Sequence, residues 1–174
     1  MKLRKVAAAF CLLSAVALAI ANTSAQDKRG PSTAEERKQA VQIARLLESD
    51  PFHEKAKDAR RWFTIWLIQV PDISVSLCTD YLSPLYKSDK NYSSEITNQM
   101  MFSSVAFMIE HPDQDKDLVA VNLAGLEGSL KTYEAILKAK PKAKSAFLDD
   151  LILKRDKGEL IEYVRQIGQT KCKR

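Results

Sequence analysis

Apolar residues recur along this chain in steps of three and four, interrupted by prolines, and that rhythm predicts helices rather than strands. Ala40, Ile43, Ala44 and Leu47 fall at i, i+3, i+4 and i+7 behind Ser32-Thr33-Ala34-Glu35, which has capping-box spacing, and Ser49-Asp50-Pro51 ends the element. Asp50-Pro51 serves equally as the start of a second helix carrying Phe52, Ala56, Ala59, Phe63, Trp66 and Val70 on one stripe. Only Thr64 and Gln69 are polar between Trp62 and Val70, so the second half of that helix is expected to be buried on most sides. Pro71 stops it.

Ile73, Val75 and Leu77 alternate with serines, as in a strand, yet Cys78, Leu82 and Leu85 continue at helical spacing. A lone strand would leave its backbone unpaired, which favours a short helix from about Asp72 to Leu82. Asn91 to Ser94 offers a cap for a helix running to Glu110, with Ile96, Met100, Phe107, Met101 and Met108 inward, and His111-Pro112 breaks it. Asp113, Asp115 and Asp117 suit the positive end of the next helix.

That next helix has a double pattern. Leu123, Leu126, Leu130, Tyr133 and Leu137 form a large stripe; Val121, Gly125, Gly128, Thr132, Ala135 and Ala139 form a small one on roughly the opposite side. Glycines inside a helix cost about 1 kcal/mol each, which makes sense where another helix must approach closely. This segment is therefore expected at the centre of the fold. Ser145 caps a further helix, Gly158 terminates it, and Leu160, Ile161, Val164 and Ile167 mark a last one. The prolines at 51, 71, 112 and 141 share no fixed period. The expectation is an all-α, single-domain irregular helical bundle of about six to seven helices.

The N-terminus changes the plan. Lys2, Arg4 and Lys5 precede an apolar stretch from Val6 to Ala21, and small or polar residues follow to Ala25, the pattern of a secretory signal peptide. The stretch is shorter than the roughly 20 residues of a permanent span, and no second one follows. The expected organisation is a signal peptide over 1–25, a disordered polar leader over 26–32, a helical domain over 33–170 and a basic tail over 171–174. Cleavage after Ala25 is preferred to cleavage after Ala21, and Cys11, early in the apolar core, does not match a lipid-attachment cysteine. The full chain holds 27 Lys and Arg against 22 Asp and Glu, but three cations and no acid leave with the leader. The remaining balance gives no global support for nucleic-acid binding.

Candidate chemistry is sparse. Export permits Cys78 and Cys172 to pair, which would clip the tail to the middle of the chain. Met101, Met108 and His111 share a helix face and carry soft donors suited to Cu(I), although methionines at this spacing ordinarily pack a core. The run from Asp113 copies the opening of a calcium loop but has Leu118 where the turn needs glycine and Ala124 where a bidentate glutamate belongs. His53 and His111 lie in no nucleophile motif, and carboxylate pairs such as Glu95 with Glu110 or Asp149 with Asp150 are the remaining route to an enzyme. Trp62 and Trp66, one turn apart, anchor a core or line an apolar groove; Lys140, Lys142 and Lys144 could attract an anionic envelope surface or an acidic partner. No cofactor is implied.

Two short stretches resemble known families. Gly128 to Pro141, with Tyr133-Glu134-Ala135-Ile136-Leu137 before the proline, resembles the end of a tetratricopeptide repeat, but occurs once where a stable array needs about three. Cys78-Thr79-Asp80-Tyr81-Leu82, Gln99 and Phe107-Met108-Ile109-Glu110-His111-Pro112 together resemble small exported immunity proteins that neutralise secreted toxins; the further cysteines of such proteins are missing here. The functional expectation is an exported binding or protein-interaction module, in the periplasm or outside the cell, engaging an unknown protein partner or a small apolar ligand. The alternatives are a small enzyme using a carboxylate pair and a copper-binding protein.

Overall fold

The computed structural model describes residues 29–87 and 91–172. The expected signal peptide, the start of the polar leader and the last two residues of the basic tail lie outside the described residues. Seven α-helices and no strand occur among the described residues: α1 (Ala34–Ser49), α2 (Ala56–Gln69), α3 (Ser83–Tyr86), α4 (Ser93–Glu110), α5 (Leu118–Ala139), α6 (Ala146–Asp156) and α7 (Leu160–Thr170), with a 3₁₀ turn over Thr79–Leu82. None is long and apolar enough to cross a membrane.

The double pattern of α5 becomes two packed faces. Leu126, Leu130, Tyr133 and Ile136 join Ile96 and Met100 of α4, Leu148 and Leu151 of α6, and Leu160 and Val164 of α7 in one core. A second core holds Ala40, Ala44 and Leu47 of α1, Phe63 and Trp66 of α2, and Phe102, Val105 and Ala106 of α4. α4 and α5 run against each other most extensively, and α1, α6 and α7 also contact α5.

Glycine makes the α4–α5 contact. A Cβ on Gly125 would stand 2.7 Å from the Met100 carbonyl oxygen and closer still to Ser104 Oγ; one on Gly128 would overlap Ser103 and lie 2.9 Å from Glu48 Oε1. Between α1, α4 and α5 runs a buried polar layer. Ser103 Oγ donates to Glu48 Oε1 at 2.7 Å, and Gln99 Nε2 donates to the Ala44 carbonyl and to Ser103 Oγ, both at 2.9 Å. Ser104 Oγ donates to the Val121 carbonyl at 3.0 Å, and Ser129 Oγ to the Ile96 carbonyl at 2.9 Å. Each serine thus satisfies itself where helices meet too closely for a larger side chain.

Several expected boundaries move. The capping box is Thr33 with Glu36, one residue later than expected, because the Ser32 amide and hydroxyl are both given to the Asp72 carboxylate. Pro51 opens two turns rather than α2: the His53 amide donates to the Asp50 carbonyl and the Ala56 amide to the His53 carbonyl, so the helix begins at Ala56. The expected helix from Asp72 to Leu82 is absent; residues 72–78 are irregular, and only the final four residues wind into the 3₁₀ turn. This connector is pinned by side chains instead. Tyr81 Oη donates to the Val164 carbonyl at 3.2 Å, and Tyr163 Oη donates to the Tyr81 carbonyl at 3.0 Å. α4 is preceded by Tyr92, in the left-handed region at φ 63°, with no side-chain cap hydrogen bond.

Three other helix-boundary signals act as expected. Asp117 accepts from the amides of Val119 and Ala120, Ser145 caps α6, and Gly158 takes φ +75° after it.

Candidate binding surfaces

Trp62 and Trp66 stack with their ring centroids 5.5 Å apart. Trp66 is buried, edge-on to Phe63, which in turn lies 4.4 Å from the Phe102 ring; Trp62 is half-buried above it. The pair is thus an anchor that reaches the surface. The apolar stripe does not stop there: Ile65 is 43% exposed and Ile68 79% exposed. The expectation that the second half of α2 is buried on most sides fails, because no other element among the described residues covers that face. A shallow cavity of about 470 Å³ lies here, lined by Arg29, Glu36, Asp58, Arg61, Trp62 and Trp66.

The rim of this surface is polar and ordered. Arg29 bridges Glu36 and donates to Gln69 Oε1 at 3.1 Å, tying the start of the described chain to the end of α2. The Thr33 amide, with help from Arg29, holds the Glu36 carboxyl below its usual range. Trp66 Nε1 is near enough to that carboxylate to favour its charge, but makes no hydrogen bond of normal geometry.

Lys140, Lys142 and Lys144 are all exposed in the connection between α5 and α6, and have no ion pair among the described residues. The next cations along the chain differ: Lys154 pairs with Asp150, and Arg155 with Glu134 and Asp156. Beside the lysines, Tyr92 and Pro141 line a groove of about 390 Å³, and Phe52 packs edge-on to Tyr92 at 5.1 Å.

Cys78 and Cys172 are joined as a disulfide, with Cα atoms 5.6 Å apart. Next to the bridge, between the connector, the start of α5 and the end of α7, is a cavity of about 620 Å³. Asn122 lines it and is 5% exposed; its Nδ2 donates to the Leu118 carbonyl at 2.7 Å, whereas its Oδ1 has no partner among the described residues.

The other sequence candidates scatter. Met101 packs against the core of α1, α2 and α4, Met108 is half-buried, and the exposed His111 lays its ring 4.6 Å from that of Phe107 at the end of α4. Among the described residues, no three His, Cys, Asp or Glu side chains gather as a metal site. Glu95 and Glu110 lie at opposite ends of α4, about 22 Å apart along its axis, too far to share a glycosidic bond. Asp149 accepts from Tyr133 Oη at 2.8 Å and Asp150 pairs with Lys154, so both acids have structural partners.

Two groupings were missed in the sequence. One is the Glu48–Ser103–Gln99 layer, whose signal was Gln99, Ser103 and Ser104 interrupting the apolar stretch of α4 opposite the glycines of α5. The other is Asp80 with Asn122, distant in sequence and brought to one cavity by the fold. Comparison with known protein families, curated proteins and solved structures finds no match.

Proposed function

We propose that this chain is an exported binding module that engages a partner protein through the outer face of α2. The carrying observation is the uncovered apolar stripe: Ile65 and Ile68 stand exposed beside Trp62, which rests on the buried Trp66. Exposed apolar area rimmed by charge marks a protein-interaction surface, and tryptophan and arginine are the side chains that most often carry binding energy there. Arg61, exposed on the same stripe and without an ion-pair partner among the described residues, fits a partner whose apolar contact is flanked by an acid. The leader-like residues 1–25 support export, and an oxidising compartment suits the Cys78–Cys172 pair.

The test compares variants in one capture experiment from the native envelope fraction. Wild-type protein and a Lys140→Glu/Lys142→Glu variant should retain the same partner, whereas Ile68→Glu and Arg61→Glu should lose it with unchanged thermal unfolding. A partner held equally by all four proteins overturns the assignment to α2. Equilibrium sedimentation of the wild type checks the remaining occupant, a second copy: an Ile68-dependent dimer would replace the foreign partner. N-terminal sequencing of the exported protein should begin at Gln26.

A further inference from the structure

We infer that the cavity beside the Cys78–Cys172 bridge is a binding site for a small apolar primary amine, its ammonium group received by Asn122 and Asp80. About 620 Å³ accommodates a molecule of that size, and Leu77, Val119 and Val164 supply apolar lining. Two acceptors of the lining, Asn122 Oδ1 and the Asp80 carboxylate, have no hydrogen-bond donor among the described residues. Asn122 commits its amide nitrogen to the Leu118 carbonyl, which leaves Oδ1 buried, oriented and without a donor. A buried acceptor in that state is unfavourable until a donor arrives. Asp80 has no cationic partner among the described residues; its close polar neighbour is Cys78 Sγ at 3.8 Å, which in a disulfide has no proton to give. Arg165 also lines the cavity, but it is paired with Glu162. A head group that brings several N–H donors and one positive charge, attached to an apolar body, matches these needs; an ammonium carries three donors.

The bridge belongs to the site. It holds the wall formed by the connector against α7, so that wall depends on the covalent link between residues 78 and 172. The surface of α2 plays no part in this site, and the inference does not rest on the proposed protein partner.

The experiment is a titration of isotope-labelled, oxidised protein with hexylammonium chloride, followed by amide chemical shifts, with hexanol and hexanoate as comparators. Saturable shifts are expected at Asp80, Val119, Asn122 and Gly168. Hexanol and hexanoate should bind about tenfold more weakly or not at all. Asn122→Ala and Asp80→Asn should each weaken the amine about tenfold while leaving the remaining spectrum intact, and reduction of the bridge should weaken it too. Should Asn122→Ala fail to fold, Asp80→Asn alone decides. The inference is overturned by an absence of saturable shifts, by equal binding of hexanol, by shifts confined to the Trp62 region, or by undiminished binding to Asp80→Asn.

Discussion

At Asp72 three donors converge: the Ser32 amide, the Ser32 hydroxyl and Arg37 Nη2, each at 2.7 Å. Desolvation alone would raise this carboxyl, but the bonds from Ser32 and Arg37 outweigh it and hold the group at about 2. Its folded-state pKa is thus below the unfolded one, so its stabilisation is present above roughly pH 4 and fades as pH falls toward 2. Urea midpoints measured across that interval should fall, and Asp72→Asn should both lower the midpoint at neutral pH and flatten the dependence. The glycines of α5 make a second test. Gly128→Ala returns about 1 kcal/mol of helix propensity but forces a methyl into Ser103, and a net loss of about 1–2 kcal/mol is expected from urea unfolding. Gly30→Ala, which meets nothing within 4 Å, should leave stability nearly unchanged. The crowding at Gly125 and Gly128 was legible in the sequence, since a helix tolerates glycine where a neighbour needs the room. The one-residue shift of the capping box was not, because Ser32 is diverted by an aspartate forty positions away.

Helix α2 separates what periodicity encodes from what it leaves open. Its stripe through Ala56, Phe63, Trp66 and Val70 is buried as the spacing predicts, but the pattern does not specify whether another element covers the opposite side. Ile65 and Ile68 are apolar and uncovered, so local apolar density overstated burial. The connector over 72–78 failed for a related reason: neither alternation nor helical spacing decides a segment held by Tyr81, Tyr163 and a distant cysteine. One hydroxyl bridges the α5–α6 junction, alongside the Arg155–Glu134 pair. Tyr133 Oη accepts from the Ser145 amide and donates to Asp149, both at 2.8 Å, and burial raises its pKa. Tyr133→Phe should cost about 1 kcal/mol in urea unfolding and speed amide exchange at Ser145, with the rest of α6 retained.

Across the whole molecule, the all-helical architecture and the central position of α5 follow from its two buried faces, whereas the sites depend on meetings between remote segments. Asp80 and Asn122 carry no local motif, and only the packing of the connector on α5 and α7 makes them neighbours of one cavity. The bridge enters the stability of the entire bundle. Replacing both Cys78 and Cys172 by serine should reduce unfolding free energy by up to about 4–5 kcal/mol on a chain-entropy estimate, read as a lower guanidinium midpoint. Reductant should shift the wild type in the same direction and leave the double variant unmoved.

The bridge also divides the molecule under tension. It closes a loop spanning 94 positions that contains α3 to α7, while α1 and α2 hang outside that loop. Pulled from outside the bridge, an oxidised molecule pays out the segment before Cys78 but not the closed loop. Some 300 Å of contour length stays hidden until a thiol cuts the link, so force spectroscopy should record a short extension in air and a long second step after reductant is added.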